Sequence, residues 1–182
     1  NEYGSYGENK AYIAQIRDTL RKYWDTKSDN TTPSQQTTLF QCDWNSNFEK
    51  NGLDDLTWTM NFGTGAKIDD QFRRLRELRP NAPLMCSEFW SGWFDKWGAR
   101  HETRPAKDMV AGIDEMLSKG ISFSLYMTHG GTSFGHWAGA NSPGFAPDVT
   151  SYDYDAPINE YGEPTEKYWL LRKTLQKYSD KK

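Results

Sequence analysis

Residues 83–93 read Pro83-Leu84-Met85-Cys86-Ser87-Glu88-Phe89-Trp90-Ser91-Gly92-Trp93, a short apolar run that ends on a carboxylate and passes at once into aromatic residues and a glycine. The run has the length and composition of a buried strand. A glutamate at the end of such a strand costs free energy unless it is hydrogen-bonded or employed. Aromatic faces around a carboxylate suit a ligand with apolar C–H faces and polar hydroxyl edges, which describes a sugar. Glu88 is therefore the first candidate for a catalytic carboxylate.

Helical patterns flank this strand. Before it, Ile68, Phe72, Leu75 and Leu78 fall on one helical face, Arg73, Arg74, Arg76 and Arg79 cover a solvated face, and Pro80 ends the helix. After it, Pro105 suits a first helical turn, Met109, Val110, Ile113, Met116 and Leu117 form a buried side, and Gly120 caps the end. Residues 121–127 read as the next strand. Earlier strands are expected over 37–44, ending in Asp43-Trp44, and over 56–62, ending at Gly63.

The first helix is expected over 8–24, with Ile13, Ile16, Leu20 and Tyr23 on its apolar face. The last opens at Pro164, with Tyr168, Leu171, Leu175 and Tyr178 on one side. Residues 25–36 read as a polar loop, 45–53 as loop or one short helical turn, and 128–157 as a long loop rich in Gly, Ser and aromatics.

Strands alternating with helices imply an α/β fold with a parallel sheet. The polar residues and long loops follow the strand ends: Asp43-Trp44, Asn61 to Gly63, Glu88-Phe89-Trp90 and Thr128-His129-Gly130-Gly131. That is the layout of a (β/α) barrel with its site at the C-terminal strand ends. Only four strands are legible, where closure needs eight, so the others must come from a segment absent here or from another chain. Asn1 is not an initiator methionine and residues 1–7 are no signal peptide, so the chain reads as a piece of a longer protein.

Composition narrows the function classes. A formal charge of −3, from 22 basic and 25 acidic residues, suggests no nucleic-acid or anionic-membrane partner. No apolar run approaches the roughly 20 residues of a membrane-spanning helix. Trp 8, Tyr 10 and Phe 9 fit either a carbohydrate site or an aromatic core. Cys42 and Cys86, both in strand-like runs, read as buried thiols and leave the compartment open. His101, His129 and His136 lack metal-ligand spacing, and no cofactor is implied.

A second carboxylate stands in Asn1-Glu2-Tyr3-Gly4-Ser5-Tyr6-Gly7, a small-residue loop that enters a helix. Taken alone, Glu2 fits either a solvated surface residue or the partner that glycoside hydrolysis requires, since that reaction uses two carboxyl groups. Gly130-Gly131-Thr132-Ser133 lacks the lysine of a phosphate loop and reads as a shaped turn. In Ser151-Tyr152-Asp153-Tyr154-Asp155 the alternating acids suggest calcium, while the interleaved aromatics favour a sugar-facing loop. Asp43 and Asp95 are candidates to support the catalytic groups.

Four motifs then fall in one order: Asn1-Glu2-Tyr3-Gly4-Ser5, residues 87–98 from Ser87-Glu88 to Trp97-Gly98, Tyr126-Met127 with Gly130 to Gly135, and residues 150–157 around Tyr152-Asp153-Tyr154. Together they span nearly the whole chain, which resembles the β-galactosidases of glycoside hydrolase family 35. The resemblance implies a (β/α)8 barrel that retains anomeric configuration, with the acid/base after strand four and the nucleophile after strand seven. Carried over by motif, Glu2 is the acid/base and Glu88 the nucleophile. Asn1 then hydrogen-bonds the sugar's 2-hydroxyl, Tyr126 lies near the nucleophile, Tyr152 and Tyr154 line the galactose site, and Trp93 forms a wall.

On this mapping residues 1–182 are the C-terminal half of the catalytic barrel and supply strands five to eight. The implied partner is a β-galactoside, and the site needs the barrel's N-terminal half. The implied location is secreted, periplasmic or lysosome-like. Two alternatives remain: a related exo-β-glycosidase such as an exo-β-glucosaminidase, and a non-catalytic carbohydrate-binding fragment.

Overall fold

The computed structural model describes residues 1–25, 38–43, 47–141 and 144–179. The loop expected over 25–36 therefore lies, from residue 26 onward, outside the described residues, as does Trp44. The chain divides into two compact units, Asn1–Asn61 with Asp69–Met85, and Phe62–Ile68 with Cys86–Lys182. Among the described residues no helix is long and apolar enough to cross a membrane.

The first unit opens with a 3-10 turn, Tyr3–Ser5, followed by α1 (Lys10–Asp25), β1 (Phe40–Asp43), α2 (Phe48–Asn51), most of β2 (Thr57–Gly63) and most of α3 (Ile68–Leu78). β1 and β2 are parallel, with Cys42 opposite Thr59 and Asp43 opposite Met60. Side chains alternate along a strand, so Thr59 and Asn61 share a face with Cys42, while Trp58 and Met60 take the other. β2 is buried from Trp58 to Phe62 without alternation, as expected of a strand in a parallel sheet.

Phe72 and Leu75 of α3 are fully buried, and Phe48 stacks on Trp58 at 5.2 Å between ring centroids. Arg79 departs from the solvated face expected of it. Its guanidinium lies 3.7 Å from the centre of a Trp58 ring and donates to the Leu56 carbonyl at 3.1 Å. The apolar stripe of α1 also departs from expectation: Ile16, Leu20 and Tyr23 are 44%, 41% and 55% exposed. Within the unit α1 packs on α2, whose single turn is too short to cover a 16-residue helix.

The second unit holds the end of β2, then β3 (Met85–Trp90) but for its first residue, α4 (Ala106–Ser118), β4 (Ser122–Tyr126), a hairpin of β5 (Ala140–Asn141) and β6 (Ala146–Pro147), and α5 (Glu166–Ser179). Its sheet order is β2-β3-β4. Cys86, Phe89, Met109, Ile113, Met116 and Ile121 form its core, with Phe62 edge-on to Phe89 at 6.0 Å. α4 ends as its glycine predicts. Gly120 takes φ +69, its N–H donates to Leu117, and the next N–H, of Ile121, reaches back to Met116.

Two expectations change here. The stretch 128–157 is no structureless loop, because it contains the antiparallel β5–β6 hairpin and an isolated bridge between Thr132 and Ser151. The last helix keeps Leu171 buried, but Leu175 is 38% exposed, and Tyr178 is tethered by its hydroxyl to Asp114 Oδ1 at 2.8 Å.

Candidate active site

The sequence-predicted residues gather in two groups, one in each unit. Asn1 and Glu2 belong to the first. Glu2 adopts φ +50, a left-handed conformation uncommon for a residue with a Cβ. Backbone contacts hold it there: the Glu2 N–H donates to Cys42 O at 2.9 Å, and the Gly4 N–H donates to Asp43 Oδ2 at 2.9 Å. Asp43 is fully buried and also accepts from the Asn47 side-chain amide at 3.1 Å, so its carboxylate ties the Glu2 loop to the end of β1.

The residue that joins Asn1 to Glu2 is Asn61, 2% exposed on β2. Its Nδ2 donates to Glu2 Oε1 at 2.9 Å and to Asn1 Oδ1 at 3.2 Å. The Cys42 thiol, half-buried rather than buried as expected, donates to the same Asn1 oxygen at 2.7 Å. Asn61 and Cys42 reach one acceptor because the β1–β2 register puts them on one face. Sequence reasoning placed Asn61 at a polar strand end but gave it no role, since its partners arrive only through the fold.

Glu88, Trp93, Tyr126, Tyr152 and Tyr154 come together in the second unit. Glu88 lies near the C-terminal end of β3, and Trp90, two positions on and therefore on the same face, donates its indole N–H to Glu88 Oε2 at 3.1 Å. That spacing was a signal available in the sequence. Trp93 is edge-on to Trp90 at 5.3 Å, stacks on Phe94 at 4.9 Å, and lies 6.2 Å from Tyr154. Tyr154 is edge-on to Tyr126 at 5.5 Å and stacks on Tyr152 at 5.3 Å, and the hydroxyls of Tyr126 and Tyr152 are 3.1 Å apart.

Burial drives the Tyr152 phenol well above its ordinary range, with the Tyr126 hydrogen bond next in weight and the Glu88 charge adding to it. Tyr154 is raised by burial first, then by Tyr152, Tyr126 and Glu88. Both hydroxyls therefore stay protonated as donors. Cys86, pushed up to about 12 by burial, is an inert core thiol.

Close backbone approach builds this cluster. A Cβ on Gly92 would stand 1.8 Å from the Tyr154 carbonyl oxygen, and one on Gly130 would stand 1.7 Å from that of Tyr152. Glycine at those two positions lets the tyrosine loop settle against the segments that follow β3 and β4. The expected turn at Gly130 to Ser133 runs along this loop, with the Tyr152 N–H donating to Gly131 O at 2.9 Å and the Ser133 N–H to Thr150 O at 2.8 Å.

Asp95 stays within its own loop, accepting from Glu102 N and pairing with His101 Nδ1, each at 2.7 Å. The acids that suggested calcium are engaged: Asp153 accepts the Glu160 N–H at 3.1 Å, and Asp155 pairs with Lys167. Among the described residues no group of three or more His, Cys, Asp or Glu side chains is placed to hold a metal. A cavity of about 480 Å³, lined by Trp97, His136, Phe145, Asp148 and Thr150 among others, opens beside the same loop.

Glu88 stands near the C-terminal end of β3 with Trp90 beside it, the strand end at which α/β enzymes carry their sites. The model of glycosyl hydrolases family 35 matches residues 1–178, and the chain belongs to that family. The family is one of TIM barrels, and the parallel α/β sheet agrees with it. A Homo sapiens protein named beta-galactosidase is 40% identical over 180 residues, which cover 98% of this chain and 25% of that protein. A Mus musculus beta-galactosidase-1-like protein is 38% identical, covering 99% and 27%. A Xanthomonas manihotis beta-galactosidase is 38% identical, covering 96% and 28%. The chain spans about a quarter of the length of the curated relatives it matches.

Proposed function

We propose that residues 1–182 are the C-terminal half of a family 35 catalytic barrel, supplying strands five to eight, and that the whole protein is a retaining exo-acting β-galactosidase. In this reading Glu88 attacks the anomeric carbon of a terminal β-galactosyl residue while Glu2 gives its proton to the departing glycosidic oxygen. A covalent galactosyl-enzyme forms with loss of the aglycone. Glu2, now a carboxylate, takes a proton from water, whose oxygen displaces Glu88 and restores the β configuration. Asn1 receives the 2-hydroxyl, Tyr126, Tyr152 and Tyr154 surround the galactose, Trp93 offers it a wall, and the cavity at Trp97 gives the aglycone room. The reaction takes no cofactor, and the N-terminal half of the barrel supplies the remaining galactose contacts. The enzyme works in a secreted, periplasmic or lysosome-like compartment.

The observation that carries this reading is the group of Glu88, Trp90, Trp93 and three tyrosines in one cluster. The names of the relatives supply the galactoside. The test is a panel of 4-nitrophenyl glycosides offered to the full-length protein, followed by a 2-fluoro-β-galactoside and mapping of the label. Turnover of the β-galactoside and a covalent label on Glu88 are expected. Preference for a β-glucosaminide, sugar binding without turnover, a label on another acid, or an inverted first product would overturn it.

A further inference from the structure

The tyrosine loop holds two consecutive residues in the left-handed region, Tyr154 at φ +61 and Asp155 at φ +49. Each such residue costs free energy and persists only where its surroundings over-determine it. The surroundings here converge on one side chain. Lys167, on the first turn of α5, is 3% exposed. Its Nζ donates to Asp155 O at 2.7 Å, to Asp155 Oδ2 at 2.5 Å and to Ser91 O at 2.8 Å. An ammonium has three protons, and these acceptors account for all three.

The acceptors are informative. Asp155 follows Tyr154, and its carboxylate also accepts the Arg104 N–H at 2.6 Å. Ser91 lies three residues past Glu88 and is itself a junction, its N–H donating to Tyr126 O at 3.2 Å and its hydroxyl to Met127 O at 2.7 Å. One buried ammonium thus fastens the exit of β3, the exit of β4 and the Tyr154 turn to each other. A buried lysine paired with one carboxylate alone would be weak evidence of any role, because desolvation offsets the attraction. Two backbone carbonyls from different loops, added to that pair, give it a geometric one.

We infer that Lys167 is a positioning residue of the active site, setting the Tyr154 ring among Trp93, Tyr126 and Tyr152 in the Glu88 cluster by clamping Ser91 to Asp155. It touches no substrate and acts through those two segments. The inference rests on the galactosidase reading above. It adds a residue on a helix, outside every motif that carries the resemblance.

The test uses the full-length protein and three variants. Lys167→Arg keeps the charge but cannot place one nitrogen among three acceptors, so it loses some Tm, and kcat/KM for 4-nitrophenyl β-galactoside, measured well below that Tm, falls about 10²-fold, the scale of a misplacement near 1 Å. Lys167→Met loses both Tm and activity, because the half-buried Asp155 carboxylate and the carbonyls of Ser91 and Asp155 lose their ammonium donor. Lys167→Met with Asp155→Asn removes both charges. Asparagine tolerates the left-handed backbone and keeps an acceptor for Arg104, so Tm recovers relative to the single variant.

If Lys167 positions the site, kcat/KM of the double variant stays about 10²-fold down despite the recovered Tm, and labelling of Glu88 by the 2-fluoro-galactoside slows in step. Activity that returns with Tm to within about threefold of wild type, in this variant or in Lys167→Arg, overturns the inference. A wild-type protein that does not turn over the galactoside removes the functional reading and this one with it. An active wild type with fully active variants removes only this one.

Discussion

The surroundings of Glu2 and of Glu88 are made of different materials. Glu2 is met by a side-chain amide, and its loop donates N–H groups to the Cys42 carbonyl and the Asp43 carboxylate. Glu88 is met by an indole N–H within a cluster of stacked and edge-on rings. An amide donor serves a carboxyl group in either protonation state, since a carboxylic acid still accepts on one oxygen. An aromatic wall with neutral phenols excludes water and offers faces to C–H groups. Under the proposed function the first environment suits a group that takes up and releases a proton, and the second a group that attacks a carbon of the sugar ring.

Each prediction strains that contrast, in order of expected size. Glu88→Gln in the full-length protein lowers kcat by about 10⁴-fold or more, the scale of losing a nucleophile, and a measurable residual rate near wild type would end the division of roles. Glu2→Gln lowers turnover of alkyl galactosides by about 10²–10⁴-fold but spares substrates with acidic phenol leaving groups. A uniform loss across leaving groups would mean that the amide-lined site is no general acid. Asn61→Ala lowers kcat/KM by about 10–100-fold, the equivalent of about 1.5–3 kcal/mol for a hydrogen bond to a charged group, and unchanged kinetics would show the amide to be dispensable.

The smallest effect is a pH dependence of stability. Tyr152 is held above its usual value of 10 in the folded protein by burial and by Tyr126. Above pH 10 the unfolded phenol ionises first, so the folded state binds more protons and stability falls as pH rises. Tyr152→Phe should flatten the decline of Tm measured from pH 9 to 11. A decline identical in the variant would show that this cluster does not control it.

Much of the scaffold was legible from short-range pattern. The spacing of Phe72 and Leu75 gave α3, Gly120 gave the end of α4, and strands alternating with helices gave a parallel sheet, because each follows from local backbone preference and one buried face. Arg79 was misplaced because its neighbour Trp58 is 21 positions away in sequence and only packing brings the ring beneath the guanidinium. The stripe of α1 was misjudged because periodicity marks an apolar face without stating what covers it.

The amino-acid sequence by itself determined the order of the four main strands and the long helices between them, and the motifs that place the chain in its family. Only the tertiary structure decided which polar groups hold the site residues. Asn61 on Glu2, Trp90 on Glu88 and Lys167 between Ser91 and Asp155 are choices of hydrogen-bond geometry. A donor finds its acceptor through register, close approach at glycine and burial, and except for the two-residue step from Glu88 to Trp90 none of these is written in the local spacing of residues.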